Sequence, residues 1–477
     1  MRSLAAIFGV IACGGGAVPP AVVGDQPTDT FVAKPPAQTP DRDRTEKKAA
    51  PDPLFPERKA GWDELSAAGK KAADSLAREY LPFATTAKTP RRAVSALIAM
   101  AEATAGAAEL SGDRVDAKPG SIYFWSGPGG DAAAIVRVGS RPITDGVRLV
   151  VAAVDAPRID LKQNPVYDEA GITMLDTYFY GAVEWQSWLV TAMALYVYAA
   201  RPGSSSGNID LVVGEAETDP VLSIPDLLPH LSGRVQRKQV VDSAERLDAV
   251  AASSRAALTE FLSGHGVDDR AFQDAEASLV PAGPAVFVGV DRALIAGYGH
   301  SHRALAFAAT RALLDENAPT HAAMVVVISK LETESTGSSG PAFVKTALSR
   351  ALGALSEHGR DIDILDTRRA YSRSSAVISA RIEAAERNKG IAMNTRADDA
   401  LPDATRRAID RMAASGAQLQ VTFDASWQGD TRRLAALDID AVGVALPTTG
   451  YGTPMELLSV LDLYSGYLAM RGWMTAK

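Results

Sequence analysis

From residue 122 onward, short apolar runs of strand length alternate with longer segments of helical period. That alternation limits the architectures open to the chain more than any single motif does. Strand-like runs stand at 122–125, 132–138, 148–154, 285–289, 322–328, 418–423 and 440–446. Helical patterns stand at 63–80, 90–110, 302–315, 341–357, 402–415 and 454–471. Strands and helices that alternate in this way pack as layers around one core. The predicted fold class is therefore layered α/β, with a central mixed, largely parallel sheet. Gly127-Pro128-Gly129-Gly130 lies between the first two strand runs and reads as a turn, not a phosphate loop, because no helix follows it.

The alternation is interrupted once. Residues 166–282 carry strand-like runs at 172–180, 189–199 and 209–213, followed by an irregular stretch at 225–231. This segment is predicted to be an inserted β-rich domain, for dimerisation or as a lid. The α/β domain is then discontinuous, from 59–165 and 283–477. No internal repeat is apparent.

The chain has 477 residues, of which 47 % are hydrophobic and 22 % charged, enough for a sizeable core. Its net charge of −8, with no basic block, argues against a nucleic-acid partner. No apolar run reaches transmembrane length. Residues 13–58 are rich in Pro, Ala, Asp and Lys, with Pro19-Pro20, Pro35-Pro36 and a charged run from Asp41 to Lys48. Such a composition cannot bury a core and is predicted to be a disordered tether.

The single cysteine, Cys13, ends the sequence Val10-Ile11-Ala12-Cys13-Gly14, after a basic start and an apolar stretch from Leu4 to Ala12. This resembles the lipobox of bacterial lipoproteins. The resemblance implies a signal peptide over residues 1–12, acylation of Cys13 and a membrane-anchored protein of the bacterial cell envelope.

Several blocks in the globular part occur in the order of a known family. Val154-Asp155-Ala156-Pro157-Arg158 is followed by Leu161-Lys162 and Asn164-Pro165. Then come Ile224-Pro225-Asp226-Leu227-Leu228-Pro229-His230-Leu231, Val288-Gly289-Val290-Asp291-Arg292 and Thr453-Pro454-Met455-Glu456. Together they resemble the aspartyl-aminopeptidase-like family of dinuclear zinc aminopeptidases. In that chemistry two zinc ions activate a water and clamp the tetrahedral intermediate, and a nearby Glu takes the proton.

Carried over residue by residue, the resemblance implies a degenerate centre. The first metal-binding His falls on Ala153, while the Asp that orients it is kept as Asp155. The bridging Asp falls on Ser301. The general base falls on Leu331, and the ligand beside it is kept as Glu332. The next Asp ligand falls on Arg381 and the final His on Gly452. Only Glu332 survives among the ligands, and Arg381 places a fixed positive charge where a dication would sit. Arg381 is predicted to pair with Glu332 or Asp155 in place of the metal charge.

Four rival signals compete with this one. His300-x-His302, with Glu332, could form a relocated metal site, but residues i and i+2 of a helix point apart, and exposed histidines at a helix start are the preferred reading. Gly203-Ser204-Ser205-Ser206-Gly207 matches a nucleophile elbow without the strand–turn–helix context it needs. Thr336-Gly337-Ser338-Ser339-Gly340 could cradle an anion but reads as scaffold. Trp185 and Trp188 read as core or interface anchors.

The expected function is thus a catalytically inactive, aminopeptidase-like lipoprotein, binding a peptide or scaffolding, without a metal cofactor. It is expected to form homo-oligomers through the inserted domain. The alternative is an active zinc-dependent aminopeptidase that releases N-terminal residues from peptides.

Overall fold

The computed structural model describes residues 61–110, 114–200, 208–226, 247–329, 342–357, 359–380, 382, 385–395, 403–423, 431 and 434–475. The strands, in chain order, are β1 (Ala108–Glu109), β2 (Ile122–Ser126), β3 (Ala132–Arg137), β4 (Val147–Ala153), β5 (Arg158–Glu169), β6 (Ile172–Tyr180), β7 (Met193–Ala200), β8 (Asn208–Val213), β9 (Ala249–Ala252) and β10 (Glu276–Pro281). They continue as β11 (Val286–Val288), β12 (Leu294–Gly297), β13 (Ala322–Ile328), β14 (Ser375–Ser379), β15 (Ile391–Thr395), β16 (Leu419–Phe423), β17 (Asp440–Ala445), β18 (Thr448–Thr449) and β19 (Glu456–Ser459). The helices that cover the central sheet are α1 (Ala67–Thr86), α2 (Pro90–Ala105), α3 (His300–Asp315), α4 (Ala342–Leu355), α5 (Ile364–Arg373), α6 (Asp403–Ala413) and α7 (Val460–Thr475).

The central sheet has nine strands in the order β1-β2-β3-β13-β4-β14-β17-β15-β16. It is mixed and largely parallel, as expected. The antiparallel pairs are β2–β3, β3–β13 and β15–β17. Every residue of β4, Val-Arg-Leu-Val-Val-Ala-Ala, is buried, which is why this central parallel strand reads, apart from Arg148, as an apolar run rather than an alternating one. Alternate residues feed two cores. Val150 packs with Leu305 of α3, Met412 of α6 and Trp473 of α7. Leu149 and Val151 pack with Leu348 of α4 and Tyr371 of α5. Helix limits follow local chemistry. Thr89 accepts the Arg92 N–H, Pro90 occupies the first turn, and Gly106 ends α2 in the left-handed region at φ 61°. Gly127 and Gly130 close the tight β2–β3 hairpin, as predicted, with Gly127 N–H donating to the Ala132 carbonyl at 2.8 Å.

A separate six-stranded antiparallel sheet, β8-β7-β10-β5-β6-β9, is built entirely from residues 158–281. Its core contains Trp188, Leu195, Leu258 and Phe272. The sheet therefore begins at Arg158, upstream of the residue 166 at which the β-rich segment was expected to start. A third, four-stranded sheet runs β11-β12-β19-β18.

Three local expectations are corrected. Residues 286–288 form a strand, but in the small sheet rather than the central one. The helix expected from 454 starts at Val460, because Glu456–Ser459 pair antiparallel with Leu294–Gly297. The strand expected over 189–199 begins only at Met193 and is preceded by a single helical turn, Trp185–Trp188.

Candidate functional site

β4 lies between β13 and β14 and runs parallel to both, so the carboxyl ends of these strands open on one edge. In open α/β sheets, ligands bind in the crevice outside that edge, where the chain leaves a strand for opposite sides. A cleft of about 490 Å³ stands there. Ser301 and His302, at the start of α3, line it, as do Arg387, Tyr451, and Ala182 and Glu184 from the loop after β6. Of the loops expected to carry the chemistry, the start of α3 and the 445–451 segment meet here, and the groups they present are unusual.

Ala153 ends β4, is fully buried, and offers only a methyl group. Asp155, two residues on, is 3 % exposed. The Tyr180 hydroxyl donates to its carboxylate at 2.5 Å, and the Arg158 guanidinium stacks over the Tyr180 ring at 4.3 Å. Asp155 is thus anchored by residues of the second sheet.

Ser301 is turned to a structural task. Its main-chain N–H and its hydroxyl both donate to Glu456, at 2.7 and 3.1 Å. Glu456 is 1 % exposed. Burial, the largest effect, raises its carboxyl above the usual glutamate range, against the opposing Ser301 N–H and the nearby His302 and Arg303. In the sequence Glu456 stands out only as the end of a motif. The available signal was an acid heading the largely apolar stretch 457–461, a position where a charge needs a partner.

Gly452 sits at φ 81°, and a Cβ there would come within 2.0 Å of the Ala182 carbonyl oxygen. Its own carbonyl accepts the Glu184 N–H at 3.0 Å and the Trp188 indole N–H at 2.8 Å. Trp188 is buried and meets Tyr298 edge-on, with ring centroids 6.1 Å apart, so it is a core anchor as expected. The loop is thus pinned against the chain that leaves β6 with no room for a side chain at 452.

The histidines overturn the expectation of exposure. His300 is fully buried and His302 only 6 % exposed. His300 Nδ1 lies 2.7 Å from the Tyr80 hydroxyl of α1, and burial, followed by the Arg303 charge, pushes its pKa down to about 3. His302 turns instead to the cleft, its ring 5.8 Å from that of Tyr451. The two rings diverge because they are two residues apart on a helix. Arg303, also buried, donates to the Val154 and Tyr298 carbonyls, tying α3 to the end of β4. No sequence motif marked this strut.

Leu331, Glu332 and Arg381 lie outside the described residues, as do Cys13, the 203–207 and 336–340 loops and residues 227–231. The Arg381 ion pair and any part of Glu332 in a site with His302 are therefore not described. Among the described residues, no group of three or more His, Cys, Asp or Glu side chains is placed to hold a metal ion.

Zinc is the metal that the resemblance implies. At the three described ligand positions the donor set does not fit it: a methyl group at Ala153, a hydroxyl committed to Glu456 at Ser301, and no side chain at Gly452.

Comparison with known proteins places these observations in a family. Residues 83–387 match the aminopeptidase I zinc metalloprotease (M18) family. A probable M18 family aminopeptidase 1 of Thermotoga neapolitana is 30 % identical over 347 residues, covering 69 % of this chain and 73 % of that protein. That of Borreliella afzelii is 26 % identical over 458 residues, covering 86 % of this chain and 98 % of that protein. That of Borrelia garinii subsp. bavariensis is 29 % identical, and the match spans 63 % of its length, just under two thirds. The crystal structure of an M18 aminopeptidase from Thermotoga maritima shares the fold, with a TM-score of 0.79 at 24 % identity, covering 88 % of this chain and 100 % of that one. A structure described as the mApe1 dodecamer of Saccharomyces cerevisiae matches with a TM-score of 0.68 at 14 % identity, covering 85 % of this chain and 97 % of that one. The chain belongs to the M18 family of zinc aminopeptidases.

Proposed function

We propose that this chain is a non-hydrolytic member of its aminopeptidase family, a peptide-binding or scaffold protein of the bacterial cell envelope held to a membrane through an acylated Cys13. The observation that carries the reading is Gly452. At φ 81°, with the Ala182 carbonyl 2.0 Å from where a Cβ would stand, the loop has no room for the imidazole that the family resemblance puts there. Ala153 and Ser301 support the same reading, because a methyl and a hydroxyl already bonded to Glu456 are poor substitutes for a His and a bridging carboxylate. The cleft keeps groups suited to a peptide: the His302 and Tyr451 rings in its lining, with Arg387 and Glu184 as charges of opposite sign. Homo-oligomerisation belongs to the proposal too, supported by the dodecamer named for a structural relative.

Kinship favours a second reading, an active zinc-dependent aminopeptidase. The matched family is one of zinc metalloproteases, and the similar curated proteins are called probable aminopeptidases. Metal analysis of the purified full chain, run beside turnover of acidic, basic and neutral aminoacyl substrates, separates the two. The first reading expects no stoichiometric zinc and no turnover rescued by zinc, cobalt or manganese. Two zinc ions per chain with chelator-sensitive turnover would overturn it.

A further inference from the structure

At the opposite end of β4 from Ala153, three arginines converge on one face of the central sheet. Arg148 is the second residue of β4, and its cross-strand neighbour on β14 is Ser375, which in turn faces Asp440 on β17. Arg407 and Arg411 lie one turn apart on α6. Arg407 reaches Asp440 at 3.3 Å, and Arg411 lies over the Trp473 ring at 5.4 Å. The Trp473 indole donates to the carbonyl of Leu149, the residue after Arg148, at 3.0 Å. Each arginine is therefore fixed to the same small region by its own contact.

We propose that Arg148, Arg407 and Arg411 form a binding site for a small phosphate-bearing anion, at the sheet edge remote from the aminopeptidase-like cleft.

The charge balance points this way. Among the described residues, Arg148 and Arg411 have no ion-pair partner, and Arg407 has only the exposed Asp440. Arg148 is 7 % exposed. One of its terminal nitrogens donates to the Ser375 hydroxyl at 3.0 Å, while its Nε–H is buried with no protein acceptor. A buried guanidinium beside two like charges is costly until an anion joins it. Burial, then the charges of Arg411 and Arg407, bring the Arg148 pKa down to about 10. A guanidinium fork offers parallel N–H donors that match the oxygens of a phosphate, and three of them surround such an ion better than they tolerate each other.

The test is calorimetric titration of inorganic phosphate into the full chain at constant ionic strength, with chloride as the control. Saturable binding of one phosphate per chain is expected. Arg407→Ala and Arg411→Gln should each weaken it about tenfold, equivalent to ~1.4 kcal/mol. Both side chains are at least partly exposed, so the variants should melt like the parent in chloride, whereas Arg148 is left intact because its replacement threatens folding. No saturable phosphate binding, an equal response to chloride, or unchanged affinity in both variants would each overturn the proposal.

Discussion

Replacing Gly452 with alanine tests the central structural argument. The residue sits at φ 81°, where a Cβ typically costs ~1–2 kcal/mol. The added methyl would also lie 2.0 Å from the Ala182 carbonyl oxygen, a backbone atom that cannot swing aside like a side-chain tip. The loop must then lift from its seat. Lifting breaks the Glu184 N–H bond at 3.0 Å and the Trp188 indole bond at 2.8 Å to the Gly452 carbonyl. A lost hydrogen bond costs ~1 kcal/mol, and a buried N–H left without an acceptor costs ~1–3 kcal/mol. The expected loss for Gly452→Ala is therefore about 3–6 kcal/mol. Urea denaturation followed by tryptophan fluorescence measures it, and near-ultraviolet circular dichroism reports the release of Trp188. Gly452→His should be at least as destabilising and should not restore a metal site. A loss below ~1 kcal/mol with unchanged Trp188 signals would refute the close approach of the 452 loop to Ala182.

Three further outcomes follow from buried titratable groups. Lys88, with its side chain 3 % exposed, pairs with Glu215 at 2.7 Å and also donates to the Pro281 and Gly283 carbonyls, so Lys88→Met should cost about 3–5 kcal/mol. Adding Glu215→Gln should recover part of that loss, and a double-mutant cycle without coupling would contradict the pairing. Asp462 accepts the Asn388 and Gly390 N–H groups, and burial raises its pKa from 3.8 to about 7. The folded state then holds its proton more tightly than the unfolded one, so this group's contribution is present below 3.8 and is lost as pH rises towards 7. Asp462→Asn should flatten that slope in urea titrations from acid to neutral pH, and an unchanged slope would argue against it. His300, held near 3 by burial, should remain neutral across the physiological range in a nuclear magnetic resonance titration, and a midpoint near 6.5 would show that the ring is not enclosed as described.

Much of the scaffold is legible in the amino-acid order, because it rests on local rules. A strand buried on both faces is apolar along most of its length, so β13 and, apart from Arg148, β4 announce themselves as runs. The β2–β3 turn needs glycines, and its glycine-rich tetrapeptide is unmistakable. The family blocks also marked which loops would meet at one sheet edge, and Ser301 and the 445–451 segment do meet there. What the chain's local pattern left undecided depends on partners far away in sequence. The stretch 456–459 fits a helix or a strand, and pairing with β12, more than 150 residues earlier, makes it a strand. His300 reads as a polar residue at a helix start until Tyr80, 220 residues away, encloses it. A Glu456 heading an apolar stretch says that a partner is needed, but only the packing of α3 supplies Ser301. The loss of a side chain at Gly452 is visible in the letters; that the Ala182 carbonyl has taken its space is not. Burial and close approach are properties of the assembled layers, and no window of neighbouring residues contains them.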